Sequence, residues 1–221
     1  MTAEKTLREH ARFPLGLLLV ATLVCVVTVW APPAGRTSWL LEVGPGLLGI
    51  FVLVATYRRL PLSHWVYGGV LIHLFILVYG GVYTYAETPL GNWARDTFHL
   101  SRNHYDRVGH LALGVFPCFT IREVLLRLTP LRPGGWLYFL VNSVVLAVAA
   151  FWELLEWWVA LIVSSDTGTA FLGSQGDVWD AQWDMLLALV GSMLALVLCR
   201  RLHDRSMAKV PLDSKLRSRP V

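Results

Sequence analysis

Charge is what this chain has least of. Only 15% of its 221 residues are Asp, Glu, Lys or Arg, whereas 55% are hydrophobic. A soluble globular domain carries about 25% charged residues, so a chain this poor in charge cannot solvate its own surface. Cysteine is also scarce. Cys25, Cys118 and Cys199 each fall in an apolar run and form no Cys-x-x-Cys pair, which excludes a disulfide framework and a thiolate metal knot. A continuous basic face is missing too. The net charge of +4 comes from short Lys/Arg clusters flanking apolar runs. That pattern excludes nucleic acid as a partner and leaves membrane lipid; it points to no particular protein partner.

What is present is a series of membrane-length apolar runs. A polar N-terminus, 1–12, precedes a six-span domain, 13–202, and a basic tail, 203–221, that is expected to be disordered. The spans are expected at about 13–30, 39–57, 64–86, 107–128, 136–163 and 183–199, each near the ~20 residues needed to cross a hydrocarbon core of about 30 Å. Pro117 is expected to kink the fourth. Ala31-Pro32-Pro33-Ala34-Gly35 makes a poor cleavage site, so the first run reads as a retained span. Pro130, Pro133, Gly134 and Gly135 mark a turn, and Ser164–Gly176 is a Ser/Thr/Gly loop. The expected fold is all-α, a polytopic bundle of about six transmembrane helices.

Orientation follows from the basic residues. Fifteen of the nineteen Lys and Arg fall at the N-terminus, in the second–third and fourth–fifth connections, and in the tail. This places both termini in the cytoplasm and requires an even number of spans. Carboxylates distribute oppositely, ten outside against five inside. Four outer arginines cannot neutralise ten outer acids, and those within spans cannot sit charged and unpaired in a low dielectric.

Helical spacing aligns these groups. At 100° per residue, Asn103, Asp106, His110, Gly114 and Pro117 share one line. Asn142, Ala149, Glu153, Glu156 and Ala160 share another. Asp177, Asp180, Asp184, Ala188, Gly191 and Ala195 make a third if their helix begins before Asp177. His73, Gly80, Thr84 and Glu87 make a fourth. Small residues accompany the ionisable ones, which permits close helix approach. The lines are expected to converge on one outward-opening pocket.

Imidazole and carboxylate donors suit a divalent ion such as Zn, Mn, Fe or Mg. The candidate ligands are Asp106, His110, Glu153, Glu156, Asp177, Asp180 and Asp184, supported by Asn103, His104, Arg107 and Gln175. No catalytic residue and no organic cofactor can be assigned from the sequence. Such a metal site would act on a lipid-linked or periplasmic substrate. Two alternatives stay open: a small transporter using the acids as a proton or ion relay, and a structural or assembly protein in which Arg95, Arg102 or Arg107 pairs with an acid. His73 reads as hydrogen-bonded packing, and His10, His64 and His203 as idle cytoplasmic flanks. Glu123 reads as a local ion pair with Arg122. Trp152, Trp157, Trp158, Trp179 and Trp183 read as an interfacial belt.

At Asn103-His104-Tyr105-Asp106-Arg107 with His110, Arg122-Glu123, Glu156-Trp157, and Gln175-Gly176-Asp177 with Trp179-Asp180 and Asp184, the sequence resembles the YjdF family of bacterial inner-membrane proteins. The resemblance covers about residues 15 to 200. It implies a multi-span protein of the bacterial inner membrane, and it implies no activity.

Overall fold

The computed structural model describes residues 3–163, 168 and 171–211. Residues 164–167, 169 and 170 of the expected 164–176 loop, Asp166 among them, and the 212–221 end of the tail lie outside the described residues. The elements are α1 (Ala3–Trp30), α2 (Arg36–Thr56), α3 (His64–Tyr83), a 3₁₀ turn (Tyr85–Glu87), α4 (Pro89–Phe98), α5 (Tyr105–Val115), α6 (Pro117–Leu128), α7 (Gly135–Ile162) and α8 (Asp180–Met207). No strand occurs among the described residues. The fold is all-α and polytopic.

Five helices, α1, α2, α3, α7 and α8, are long and apolar enough to cross a membrane. Their apolar faces stay uncovered: Leu19, Val27, Phe51 and Leu198 are each more than 60% exposed. In water that surface would be untenable, and in hydrocarbon it costs nothing. The run expected as a fourth span, 107–128, is not one rod. It is α5 and α6, meeting at Phe116–Pro117. Pro117 has no N–H to extend the ladder of α5 and occupies the first turn of α6, where that N–H would be idle.

The broken rod nevertheless runs the length of α8. At one end Asp106 and His110 meet Asp184. At the other, Arg122 Nη1 lies 2.9 Å from His203 Nδ1. Glycine brings the two this close. A Cβ at Gly114 would overlap the Ala188 carbonyl oxygen, and one at Gly191 the Leu111 carbonyl oxygen. Elsewhere α2 packs on α3, α7 on α8 and α6, and α1 on α3.

The start of α1 and the end of α8 lie at that second end of the bundle. His64 Nε2 is 3.1 Å from the His10 carbonyl, and the Trp65 N–H donates to Ser206 Oγ at 3.1 Å. Here the reading of His203 and Glu123 is corrected. His203 belongs to α8, not to a solvated tail, and is fully buried. Its Nδ1 accepts from Arg122 and its Nε2–H donates to Glu123 Oε2 at 3.0 Å. Glu123 ignores Arg122 and pairs with Arg127, one helical turn on. It also accepts from the Ser63 N–H at 2.8 Å and the Ser63 hydroxyl at 2.6 Å. Arg122 reaches Asp204 at 2.7 Å. A fully buried carboxylate with this many donors is a satisfied packing hub joining α3, α6 and α8.

Candidate metal centre

At the opposite end, ionisable groups form two tiers. The upper tier is held by Arg102, from the short link before α5, and by Arg107, in the first turn of α5. Arg102 forms a buried pair with Asp180, lies 3.7 Å from Asp177 and donates to the Gly173 carbonyl at 2.9 Å. Arg107 bonds Asp177 at 2.6 Å, lies 3.3 Å from His104 Nδ1, and places its guanidinium over the Trp183 ring at 5.4 Å. Burial and the adjacent Arg107 and Arg102 cations push the His104 imidazole below its ordinary pKa.

Gln175 and Asn103 lock the loop to this link. The Asn103 N–H donates to Gln175 Oε1 at 3.0 Å, and Gln175 Nε2 donates back to the Asn103 carbonyl at 2.8 Å. Gln175 takes a positive φ of 48° to do so. The Asn103 amide donates to the Thr88 carbonyl at 3.1 Å and to Asn92 at 2.9 Å, and a side chain at Gly91 would collide with it. Asn103, His104, Arg107 and Gln175 are therefore a scaffold above the acids.

The helix of the third line begins at Asp180, with Asp177 in the preceding turn. Asp177 and Asp180 are thus brought to the site but spent on arginine, and they stand outside the ligand cluster. Arg95, the third candidate partner, pairs among the described residues with its exposed neighbour Asp96.

The lower tier forms no ion pair with Lys or Arg among the described residues. Asp106 and His110 lie one turn apart on α5 and meet Asp184 of α8, with one ligand atom from each within 4.8 Å of the others. His110 Nε2 stands 3.6 Å from Asp106 Oδ1 and 3.5 Å from Glu153 Oε1 of α7. His110 Nδ1, Glu153 Oε1 and Asp184 Oδ1 have no hydrogen-bond partner among the described residues. His110 is 4% exposed and Asp184 2%. Buried polar atoms are almost always satisfied, so three unpartnered atoms in one cluster set this tier apart from the arginine-bonded tier above it.

Glu156 of α7 is buried beside this cluster, within electrostatic range of Asp106 and Glu153. Glu42 of α2 joins it from the far side. It is buried, lies within electrostatic range of Asp106 and Glu156, and was absent from the sequence-derived site. Its signal was present: it is the single acid in an otherwise uncharged run, 39–57. Tyr85 was missed as well. It is buried against Gly80 and Gly109, where any larger residue would collide with its ring.

Glu42, Tyr85, Asp106, His110 and Glu156 line one end of a cavity of about 680 Å³ that continues between α2, α3, α5–α6 and α7. His73 lines it deeper down. The expectation of a hydrogen-bonded His73 fails: its Nε2 has no partner among the described residues, and its ring stacks on Phe116 at 6.2 Å. The fourth line breaks beyond Gly80, because Thr84 turns the chain with φ 64° and Glu87 is exposed beside Asn92. Of the expected tryptophan belt, Trp157, Trp158, Trp179 and Trp183 are exposed, while Trp152 packs against Phe171.

Two comparisons with known proteins agree with this architecture. The family described as Predicted membrane protein (DUF2238) matches residues 13–205. The chain is 39% identical over 194 residues to the inner membrane protein YjdF of Escherichia coli (strain K12), covering 88% of this chain and 92% of that protein. No solved structure matches. A helical bundle with five membrane-length helices, matched over nearly its whole length in both comparisons, belongs to the DUF2238 family of predicted membrane proteins.

Proposed function

We propose that this protein binds a divalent cation through Asp106, His110 and Asp184, with Glu153 completing the set. The bound ion would serve hydrolysis or group transfer on a lipid-linked or periplasmic substrate at the outer end of the bundle. One observation carries the reading. His110 Nε2 stands 3.6 and 3.5 Å from two carboxylate oxygens, too far for good hydrogen bonds. Two ligands of one tetrahedral ion at about 2.1 Å are about 3.4 Å apart, which is this spacing.

Charge supports the same reading. Glu42, Asp106, Glu153, Glu156 and Asp184 form no ion pair with Lys or Arg among the described residues; Arg102 and Arg107 lie within electrostatic range of Asp106 but bond Asp180 and Asp177. Several kcal/mol would be lost for each carboxylate buried charged and unpaired, and a divalent ion removes two charges at once. Such an ion would supply Lewis acidity or an activated water. Glu153 and Glu156, three residues apart on one face of α7, are placed to take and return a proton. The upper tier holds α5 and α8 at a fixed separation.

Elemental analysis of the full-length protein, loaded in turn with Zn, Mn, Fe and Mg, tests this. Wild type is expected to retain stoichiometric metal, and His110→Ala and Asp184→Ala to lose it. Loaded wild type without stoichiometric metal would end the reading. His73 favours a second one, in which the acids and this histidine relay protons along the cavity. Proton flux into proteoliposomes that is abolished by Glu153→Gln or Glu156→Gln, with no metal retained, would select the relay.

A further inference from the structure

The cavity has a chemistry that the metal alone leaves unexplained. Its polar end carries Glu42 of α2 and Glu156 of α7, two buried acids that form no ion pair with Lys or Arg among the described residues. His110, with its unpartnered Nδ1, lines the same end. Away from that end the lining is apolar apart from His73 and Thr120. Along α2 it descends from Glu42 to Leu53, about 16 Å of helix. Half of a hydrocarbon core of roughly 30 Å is about 15 Å. The trough therefore has the depth of one leaflet.

It also opens sideways. Leu48 and Val52 of α2 and Val148 and Phe151 of α7 line it, and all four are 44–63% exposed on the apolar flank. The volume is in the range of about 300–1,000 Å³ typical of small-ligand sites. Length, apolarity and side entry together select a hydrocarbon chain arriving from the bilayer. The two acids at its head select a positively charged headgroup.

We propose that the cavity takes one chain of an outer-leaflet phospholipid with a primary ammonium headgroup, of the phosphatidylethanolamine class, the ammonium sitting between Glu42 and Glu156. An ammonium offers three N–H donors and a full positive charge, which suits two carboxylates lining one end of the cavity. Placing the lipid phosphate on the ion at Asp106, His110 and Asp184 rests on the metal reading above. The ammonium and chain subsites do not.

Native mass spectrometry of the full-length protein, offered phosphatidylethanolamine, phosphatidylcholine and phosphatidylglycerol of matched chains, tests this. Phosphatidylethanolamine should be retained about tenfold better than phosphatidylglycerol. Phosphatidylcholine, which has the charge but no N–H, should fall between. The Glu42→Gln/Glu156→Gln double variant should bring phosphatidylethanolamine down to the phosphatidylglycerol level. Gly49 lines the trough with nothing within 4 Å of a built Cβ, so Gly49→Leu should fold and lower retention of all three. Equal retention of phosphatidylethanolamine and phosphatidylglycerol by wild type overturns the ammonium site. Unchanged retention in Gly49→Leu overturns the chain site. Metal without headgroup preference sinks this inference alone, and preference without metal sinks only the metal reading.

Discussion

Replacing Arg102 should be among the most damaging single changes outside the ligand cluster. Its side chain is 6% exposed and that of its partner Asp180 is 9%. Without Arg102, Asp180 keeps a buried charge with no counter-ion, which costs about 3–5 kcal/mol. The Gly173 carbonyl also loses its donor, adding about 1 kcal/mol. For a chain of this size each kcal/mol lowers the melting temperature by about 2–4 °C, so Arg102→Gln should melt roughly 8–24 °C below wild type. Asp180→Asn removes the stranded charge, so the Arg102→Gln/Asp180→Asn double variant should recover several degrees over Arg102→Gln alone. Thermal melts of wild type, both single variants and the double variant in one detergent form the cycle. Additive losses would refute the pairing, because independent sites do not rescue one another.

Two further outcomes follow from the geometry. Gly114→Leu or Gly191→Leu must separate α5 from α8, because the added side chain meets backbone that cannot yield; neither variant should yield folded protein in detergent gel filtration, whereas Gly49→Leu should. The His104 imidazole is held below its ordinary pKa by burial and two guanidinium groups, so the unfolded chain binds its proton first as pH falls. Its contribution is complete above its ordinary value near 6.5 and is lost as pH falls through the lower folded value. The melting temperature of wild type should therefore drop more steeply than that of His104→Gln between pH 7 and 5, and parallel slopes would contradict it.

Much of the bundle was legible one residue at a time. Apolar length marks α1, α2, α3, α7 and α8, because a helix in lipid must satisfy its own backbone and needs only enough apolar residues to reach across. Pro117 announced a disturbance in the fourth run, but not that it would divide the run into two helices. The one-turn spacing of Asp106 and His110, and of Asp180 and Asp184, placed those side chains on common faces. It did not say which acids an arginine would claim. Arg102 and Asp180 are 78 residues apart, and helical periodicity carries no information across that distance. Asp177 fell from its line because the helix starts at Asp180, and a boundary shifted by one turn removes a residue from a face.

His203 and Glu42 show the remaining gap. Read alone, His203 was a flank of a basic tail and Glu42 an isolated acid. Packing turned the first into the centre of a buried hub and the second into a wall of the cavity. Composition and spacing by themselves determined that this is a helical membrane protein whose acids gather with too few Lys and Arg beside them. Only the tertiary structure decided which of those acids are neutralised by arginine and which are left facing one another. Neutralisation depends on angstrom-scale distances between helices, and those are set by the glycines and by the scaffold of residues 102–107 and 173–177.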